Sequence, residues 1–539
     1  MFTKNNFISI IFLSIPLLVL CLSGIFLIPQ QADFIREVCN FTLLTISFYA
    51  LCFLIPSVKA KTILSFLIGL LLSFLVLIKL NFYHIYQVKL SASALFVIFE
   101  TNAQETSEFL EVYISKTFIF LAVIFSLYLL FYSYLLFRKK VVFQLDCKPF
   151  FQIIIKIGLL FLIIISVYLI HWKFDEFNIL YKTKTSYEEY QTTKKLIKET
   201  LAKFSSPYLH EVRKDSTAPK IAVVVIGEST NRNHMSLYGY YRKTNPLLAK
   251  QKNLIVSKDV ITPHVHTITA LDKILTLNSL GNDRVKNNAS IVQLANMAGY
   301  KTFWLSNQRP VGLHESVPTL IGYAAKEKQF LNTDNYNRKS YDEVLFPAYK
   351  KALQDPAPYK MIFLHLSGTH LGYKERYPNS FEYFKDTPLT KYKHEKAFQL
   401  INQYDNSVRY NDYIINELLE RLKQQNTSSY LLYFSDHGDD VFDAQNTAGH
   451  SEFIGTNGMF EVPYITWVSP QFENRLKLNL DILKIENRKY LLDDFIHTFA
   501  DLSQLHFKGL NKTKSIYDTT FIEKPRVIKG KINYDQQKN

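Results

Sequence analysis

Apolar positions along this 539-residue chain are bunched near its start and spaced periodically afterwards. Five apolar runs stand out: Phe7 to Ile28, Phe41 to Val58, Thr62 to Leu80, Thr117 to Phe137, and Phe150 to His171. Each has about the 20 residues needed to cross a hydrocarbon core of about 30 Å, with almost no charge, so five transmembrane helices are expected. Lys156 lies near the start of the fifth run, where a lysine stem can carry its ammonium out to the headgroups. The first run is long for the apolar segment of a secretion signal. No small-x-small cleavage site follows it, so it reads as an uncleaved span.

After Trp172 the pattern changes. Residues 173 to 218 include "EEYQTTKKLIKETLAKF", which predicts a helix along a membrane face or a polar connector. From Lys220, short apolar runs alternate with helical patterns. Strands are expected in "KIAVVVIGE", "KTFWLSNQ", "KMIFLHLSG", "SSYLLYFSDHG" and "VPYITWVS", and helices in "SIVQLANMAGY", "YDEVLFPAYKKALQD", His394 to Gln424 and "LLDDFIHTFADLSQL". Such alternation predicts an α/β domain with a mostly parallel sheet flanked by helices. The expected organisation is therefore a five-span transmembrane domain (1–172), interfacial helices or a linker (173–218), a catalytic α/β domain (219–525) and a frayed basic tail (526–539).

Charge sets the orientation. Lys4, Lys59, Lys61, Arg138, Lys139, Lys140 and Lys148 fall at the N-terminus and in alternate connections, which places those on the cytoplasmic side. Arg36, Lys89 and Lys116 are the sparser basic residues of the other side, and everything after Trp172 then lies outside the cytoplasm. Net charge is +15, of which residues 1–172 supply a third, so the exported part is basic. Beside a membrane, anionic headgroups and phosphorylated glycolipids are the expected partners rather than nucleic acid. Cys21, Cys39, Cys52 and Cys147 all lie in the membrane half. The exported domain therefore has no disulfide, and its own core or a metal must stabilise it.

Three strands deliver reactive side chains at their carboxyl ends: Glu228 after "IAVVVIG", His370 after "IFLHLSG", and Asp436 with His437 after "LLYFS". Parallel strands gather such ends in one crevice. Carboxylates with an imidazole suit zinc or manganese. Neighbours on a regular strand face opposite ways, so the chain must leave strand geometry at Asp436 and His437, and Gly438 allows the turn. A nucleophile is expected on a loop near Glu228. "VITPHVHTITALDKILTL" offers Thr267 at the start of a helical pattern, where free amides and the dipole attract anionic oxygens, or where the hydroxyl only caps the helix. His365 reads as a core histidine, His264 and His266 as solvated flanks, and Lys273 as part of a solvated helix face. Asp439 and Asp440 either attract an ammonium or end the turn. Glu100, Asn102 and Glu105 form a polar loop or meet lipid headgroups.

Four blocks, "VVVIGESTNRNHMSLYGYYRKTNPLLAK", "SGTHLGYKERYP", "YFSDHGDD" and "AGHSEF", follow the five spans in that order. They resemble the membrane phosphoethanolamine transferases of the alkaline phosphatase and sulfatase superfamily, which decorate lipopolysaccharide. The resemblance implies that fold, with Glu228, Thr267, Asp436 and His437 binding zinc and Thr267 also the nucleophile. His370 and His450 would face the phosphate and the ethanolamine donor. It further implies phosphatidylethanolamine as donor, a lipopolysaccharide acceptor at a core sugar or lipid A, and a phosphoethanolamine-threonine intermediate. The enzyme would sit in the bacterial inner membrane as a monomer with its catalytic domain in the periplasm. Members that modify lipid A often have a cysteine-framed "CGT" loop and several disulfides. This chain has "TPHVHT" and none, and so looks more like the core-modifying subgroup. A phosphoglycerol transferase, or a sulfatase or phosphatase of the same superfamily, is the alternative, against which the first block argues.

Overall fold

The computed structural model describes residues 4–28, 31–86, 116–138, 143–279, 288–308, 317–332, 340–452, 454–476 and 485–537. The chain divides into two compact units, one within its first 190 residues and one from Gln191 to Asn539.

The first unit holds α1 (Lys4–Leu27), α2 (Gln31–Leu54), α3 (Val58–Tyr86), α4 (Lys116–Phe137) and α5 (Pro149–Lys173), each long and apolar enough to cross a membrane. The polar helix α6 (Ile179–Leu201) follows. α2 departs from expectation by starting at Gln31 rather than Phe41, so Arg36 lies inside a helix and not in a connection. The physical reason is a charge pair. Buried Glu37 takes the Lys79 ammonium on one oxygen and the Tyr83 hydroxyl, at 3.2 Å, on the other, so its charge is neutralised among helices. Lys89, Lys139, Lys140 and the loop bearing Glu100, Asn102 and Glu105 lie outside the described residues.

In the second unit, β1 (Ile221–Gly227), β2 (Leu254–Val256), β3 (Lys301–Ser306), β4 (Glu327–Phe330), β5 (Lys360–His365), β6 (Ser429–Ser435) and β7 (Tyr464–Val468) form one sheet in the order β2-β7-β6-β1-β5-β3-β4. Neighbours from β6 to β4 are parallel, and β7 runs antiparallel to both β6 and β2. Every residue of β1, β5 and β6 is buried, as a sheet covered on both faces requires. The helices that follow are α7 (Thr267–Ile274), α8 (Ile291–Met297), α9 (Leu345–Gln354), α10 (Glu395–Lys423) and α11 (Phe495–Leu502). Val224, Phe363 and Leu432 pack with Ile291, Leu294 and Phe499 of α8 and α11 on one face. α9 and α10 cover the other, where Asn411 donates to the Tyr433 hydroxyl at 2.7 Å and Tyr349 to the carbonyl of Leu418 at 3.2 Å. Burying a Val, Leu or Phe side chain contributes roughly 1.5–3 kcal/mol each, so a core of this size can hold the domain without disulfides. All four cysteines are free.

The frayed tail is a second correction. Val527–Ile528 pairs with Ile532–Asn533 as a hairpin. Arg526 is buried and donates to Asp259 Oδ1 at 2.7 Å and Asp535 Oδ1 at 2.5 Å. Ile528 and Tyr534 pack with Ile261 and Val265, and the Lys529 amide donates to the carbonyl of Pro263 at 3.0 Å. The tail thus supports the loop that leads to Thr267. Its basic composition hid two carboxylate partners, one of them far away in the chain.

Candidate active site

The carboxyl ends of β5, β1 and β6 lie side by side in the sheet, and each continues into a loop held by buried polar groups. After β1, Ser229 has a positive φ of 59°, a strained conformation for a residue with a Cβ. It is held there by its amide, which donates to Asp436 Oδ1 at 3.1 Å, and by the Tyr404 hydroxyl, which donates to its carbonyl at 2.8 Å. After β5, the buried Asp342 carboxylate accepts the amides of Ser367 and Gly368 at 2.8 and 2.9 Å. The Thr369 amide then donates to the carbonyl of Glu228 at 2.9 Å. Gly368 has a φ of +58°, and a Cβ there would stand 2.7 Å from the Glu228 backbone nitrogen and oxygen. Gly368→Ala is therefore expected to cost about 2 kcal/mol or more and to displace Glu228. A thermal shift together with metal content measures both effects.

β6 ends at Ser435, and Asp436 and His437 follow outside the strand as expected. Ser435 Oγ donates to the His437 carbonyl at 2.8 Å and accepts the Thr230 amide at 2.9 Å, which bends the chain. The reason for Gly438 differs from the expected one. Its φ is not positive. Instead a Cβ would meet the Gly458 carbonyl oxygen at 2.3 Å, so close backbone approach demands the glycine.

These loops bring together Glu228, Asp436 and His437, all buried, with one ligand atom from each within 4.8 Å of the others. Thr267 opens α7, and its Oγ1 donates to Glu228 Oε1 at 2.9 Å and lies 3.4 Å from His437 Nε2. The hydroxyl is thus directed at the carboxylate, while the residue at the cap position is His266. Asp436 Oδ1 takes the amides of Ser229 and His437, but Asp436 Oδ2 is buried with no hydrogen-bond partner. Burial and the charge of Glu228 both push the Asp436 carboxyl up. Burial would raise Glu228 too, yet the hydrogen bond and charge of His437 hold it well below the usual carboxylate range. The two carboxylates in turn raise His437 against the effect of its burial. Two buried acids, one imidazole and an orphaned carboxylate oxygen at one point fit a divalent cation such as zinc. His437 Nδ1 is 3.2 Å from the carbonyl of Gly438, a partner that leaves Nε2 for the ion.

More histidines surround this point. His450 Nδ1 pairs with Asp439 Oδ1 at 2.8 Å, and Asp439 Oδ2 accepts the Tyr373 hydroxyl at 2.7 Å. The His450 ring centre is 4.1 Å from that of His437, 5.4 Å from His266 and 6.4 Å from His370. Burial, then the charge of His437, lowers His450. Burial and His450 lower His266 to about 3. Two other expectations change. His264 is not merely solvated, because its Nδ1 pairs with Glu452 at 2.7 Å while Glu452 also accepts the Val265 amide at 2.8 Å. Lys273 is mostly buried, 3.7 Å from Asp272. Asp440 ends the turn by accepting the amides of Asp443 and Ala444 at 3.1 Å, whereas Asp439 faces His450. His365 is a core histidine whose Nε2 has no partner.

Residues 220–505 match the Sulfatase family. Phosphoethanolamine transferase EptC of Escherichia coli strain K12 is 31% identical over 506 residues, covering 88% of this chain and 85% of that one. The chain belongs to the phosphoethanolamine transferases of the sulfatase family. The C-terminal periplasmic domain of Escherichia coli EptC, solved in complex with zinc, superposes with a TM-score of 0.58 at 32% identity, covering 61% of this chain and 96% of that domain. Full-length lipooligosaccharide phosphoethanolamine transferase A (EptA), an integral membrane protein from Neisseria meningitidis, shares the fold over 95% of this chain and 97% of its own, with a TM-score of 0.63 at 17% identity.

One cluster in the family's first block escaped sequence reasoning. His234 is buried between Asp405, 2.7 Å from Nδ1, and Asp443, 3.2 Å from Nε2. Arg242 and the Tyr240 hydroxyl share Asp405 at 2.8 and 3.0 Å. Burial opposes a charge on His234, yet Asp443 and Asp405 raise it to about 10. A folded pKa above the unfolded value gives stability that is complete below about pH 6.5 and is lost as pH rises through about 10. Denaturant midpoints are expected to fall over that range in the parent and to fall less in His234→Gln.

Proposed function

We propose that this enzyme takes phosphoethanolamine from phosphatidylethanolamine onto Thr267 and passes it to a lipopolysaccharide acceptor. The observation that carries the reading is the Thr267 hydroxyl, placed 2.9 Å from a buried carboxylate that belongs to a cation-fitting set. Glu228, Asp436, His437 and Thr267 would hold zinc, which supplies Lewis acidity that lowers the pKa of the hydroxyl and offsets charge on phosphoryl oxygens. Glu228 orients Oγ1 through their hydrogen bond. In the first half-reaction a bond forms between Oγ1 and phosphorus, the bond from phosphorus to the glycerol oxygen breaks, and diacylglycerol leaves with the proton. In the second, an acceptor oxygen attacks phosphorus and the bond to Oγ1 breaks. His450, lowered towards its neutral form and oriented by Asp439, would take the acceptor proton and return it to Thr267. His370, held by Arg376 against its carbonyl at 3.1 Å, would line the donor side.

The five apolar helices and the periplasmic domain of the Escherichia coli relative support an inner-membrane enzyme whose catalytic unit faces the periplasm. The "TPHVHT" loop favours an acceptor in the lipopolysaccharide core. The test supplies membranes with headgroup-labelled phosphatidylethanolamine or phosphatidylglycerol. Only the first label is expected in lipopolysaccharide, where mass spectrometry fixes the modified position. Label from phosphatidylglycerol would point to a phosphoglycerol transferase, and release of soluble phosphate or sulfate without glycolipid labelling to a hydrolase.

A further inference from the structure

The segment "YFKDTPLTKYKHEK", residues 383 to 396, runs over the surface without regular structure until α10 begins at Glu395. It holds four lysines against two acids, and one of those acids, Asp386, is taken up by Arg242 at 2.8 Å. Tyr383 and Leu389 are 64% and 76% exposed, and Tyr241 beside them is 48% exposed. The Leu389 amide donates to the Tyr241 hydroxyl at 2.9 Å, and the Arg409 guanidinium lies 4.2 Å over the Tyr383 ring, so this is one continuous surface.

It is also a built surface. Asn406 Oδ1 accepts the amides of Tyr383 and Phe384 at 3.0 and 2.7 Å. Thr390 Oγ1 donates to the Phe442 carbonyl at 3.2 Å, and both the Tyr392 hydroxyl and Lys391 Nζ donate to the carbonyl of Ala444, at 2.8 and 3.3 Å. Those carbonyls belong to the loop between Asp440–Val441 and Ala448–Gly449, a hairpin flanked directly by Asp439 and His450. At about 3.4 Å per extended residue, the loop reaches within roughly 20 Å of the His450 ring.

We propose that this surface binds the phosphorylated saccharide of the acceptor glycolipid, a subsite that rests on the function proposed above. Lysines match phosphates, and exposed aromatic rings give flat apolar faces for sugar C–H groups. A bilayer is the poorer fit. Leu389 is the lone aliphatic side chain exposed in this segment, and one such anchor gives marginal lipid affinity.

The full-length protein, reconstituted with labelled phosphatidylethanolamine, separates the two half-reactions. In the double variant Lys391→Glu, Lys393→Glu, diacylglycerol release and labelling of Thr267 are expected to match the parent. The glycolipid concentration that half-saturates discharge of the label is expected to rise about tenfold or more, with the salt dependence of the parent reduced. Tyr383→Ala is expected to weaken discharge without the change in salt dependence. An unchanged acceptor dependence would overturn the subsite. Equal loss in both half-reactions would overturn it too, by assigning the surface to the bilayer. Absence of label on Thr267 in the parent would overturn the threonine intermediate and the subsite with it.

Discussion

Replacing Thr267 by alanine is expected to reduce phosphoethanolamine transfer by about 10³-fold or more while the protein stays folded and membrane-bound. The substitution removes a hydroxyl whose hydrogen-bond neighbours are Glu228 and His437, both in the reacting cluster. The core side of α7, made by Ala270, Leu271 and Ile274, is untouched, and alanine is a better helix former than threonine. Stability should therefore hold within about 1 kcal/mol, as for most substitutions that leave a core intact. Thr267→Ser keeps an oxygen in place and should retain measurable transfer, slowed by the extra rotamer freedom of serine. Intact-protein mass spectrometry after incubation with phosphatidylethanolamine should show a phosphoethanolamine adduct on the parent and none on the alanine variant. Parental transfer rates in the alanine variant would rule out Thr267 as the nucleophile.

Legibility in the sequence followed the range of the interactions. The five spans were readable because an apolar run of sufficient length carries its own reason to be a helix. The start of α2 was not, since the Glu37 charge is tolerable only beside Lys79, 42 residues later. Glu228, Asp436 and His437 were readable as a cluster because parallel strands bring their carboxyl ends together whatever the loops do. The groups that aim them were not. Asp342 reaches Ser367 and Gly368 across a helix and a strand, and Asp405 reaches His234 from α10. Glu452 stood two residues beyond His450 in a recognised block, so a carboxylate near the histidine-rich loop was there to be found. The tail was misread for a related reason. Arg526 looks like solvated charge until Asp259, 267 positions earlier, is placed against it. A glycine beside His437 was legible at 438, but its cause, the Gly458 carbonyl, belongs to the tertiary fold.

Removing the cation should have the other large effect, and Asp436→Asn separates its parts. Chelation of the parent is expected to abolish transfer, and added zinc to restore it. A ligand present at about 1,000 times its dissociation constant stabilises the folded state by roughly 4 kcal/mol, so chelation should also lower the melting temperature. Asparagine at 436 keeps an oxygen for the amides of Ser229 and His437 while replacing Oδ2, 3.5 Å from His437 Nε2, by a neutral amide nitrogen. The variant should thus lose zinc and activity together, yet its metal-free form should melt no lower than the metal-free parent, because one of two mutually repelling buried carboxylates is gone. Loss of stability in that metal-free comparison would show that Asp436 is chiefly a structural acceptor. Full zinc content with parental transfer in the asparagine variant would remove it from the ligand set. The predicted pattern, lower activity without lower metal-free stability, arises only if the carboxylate is kept buried and half-satisfied for an ion to complete.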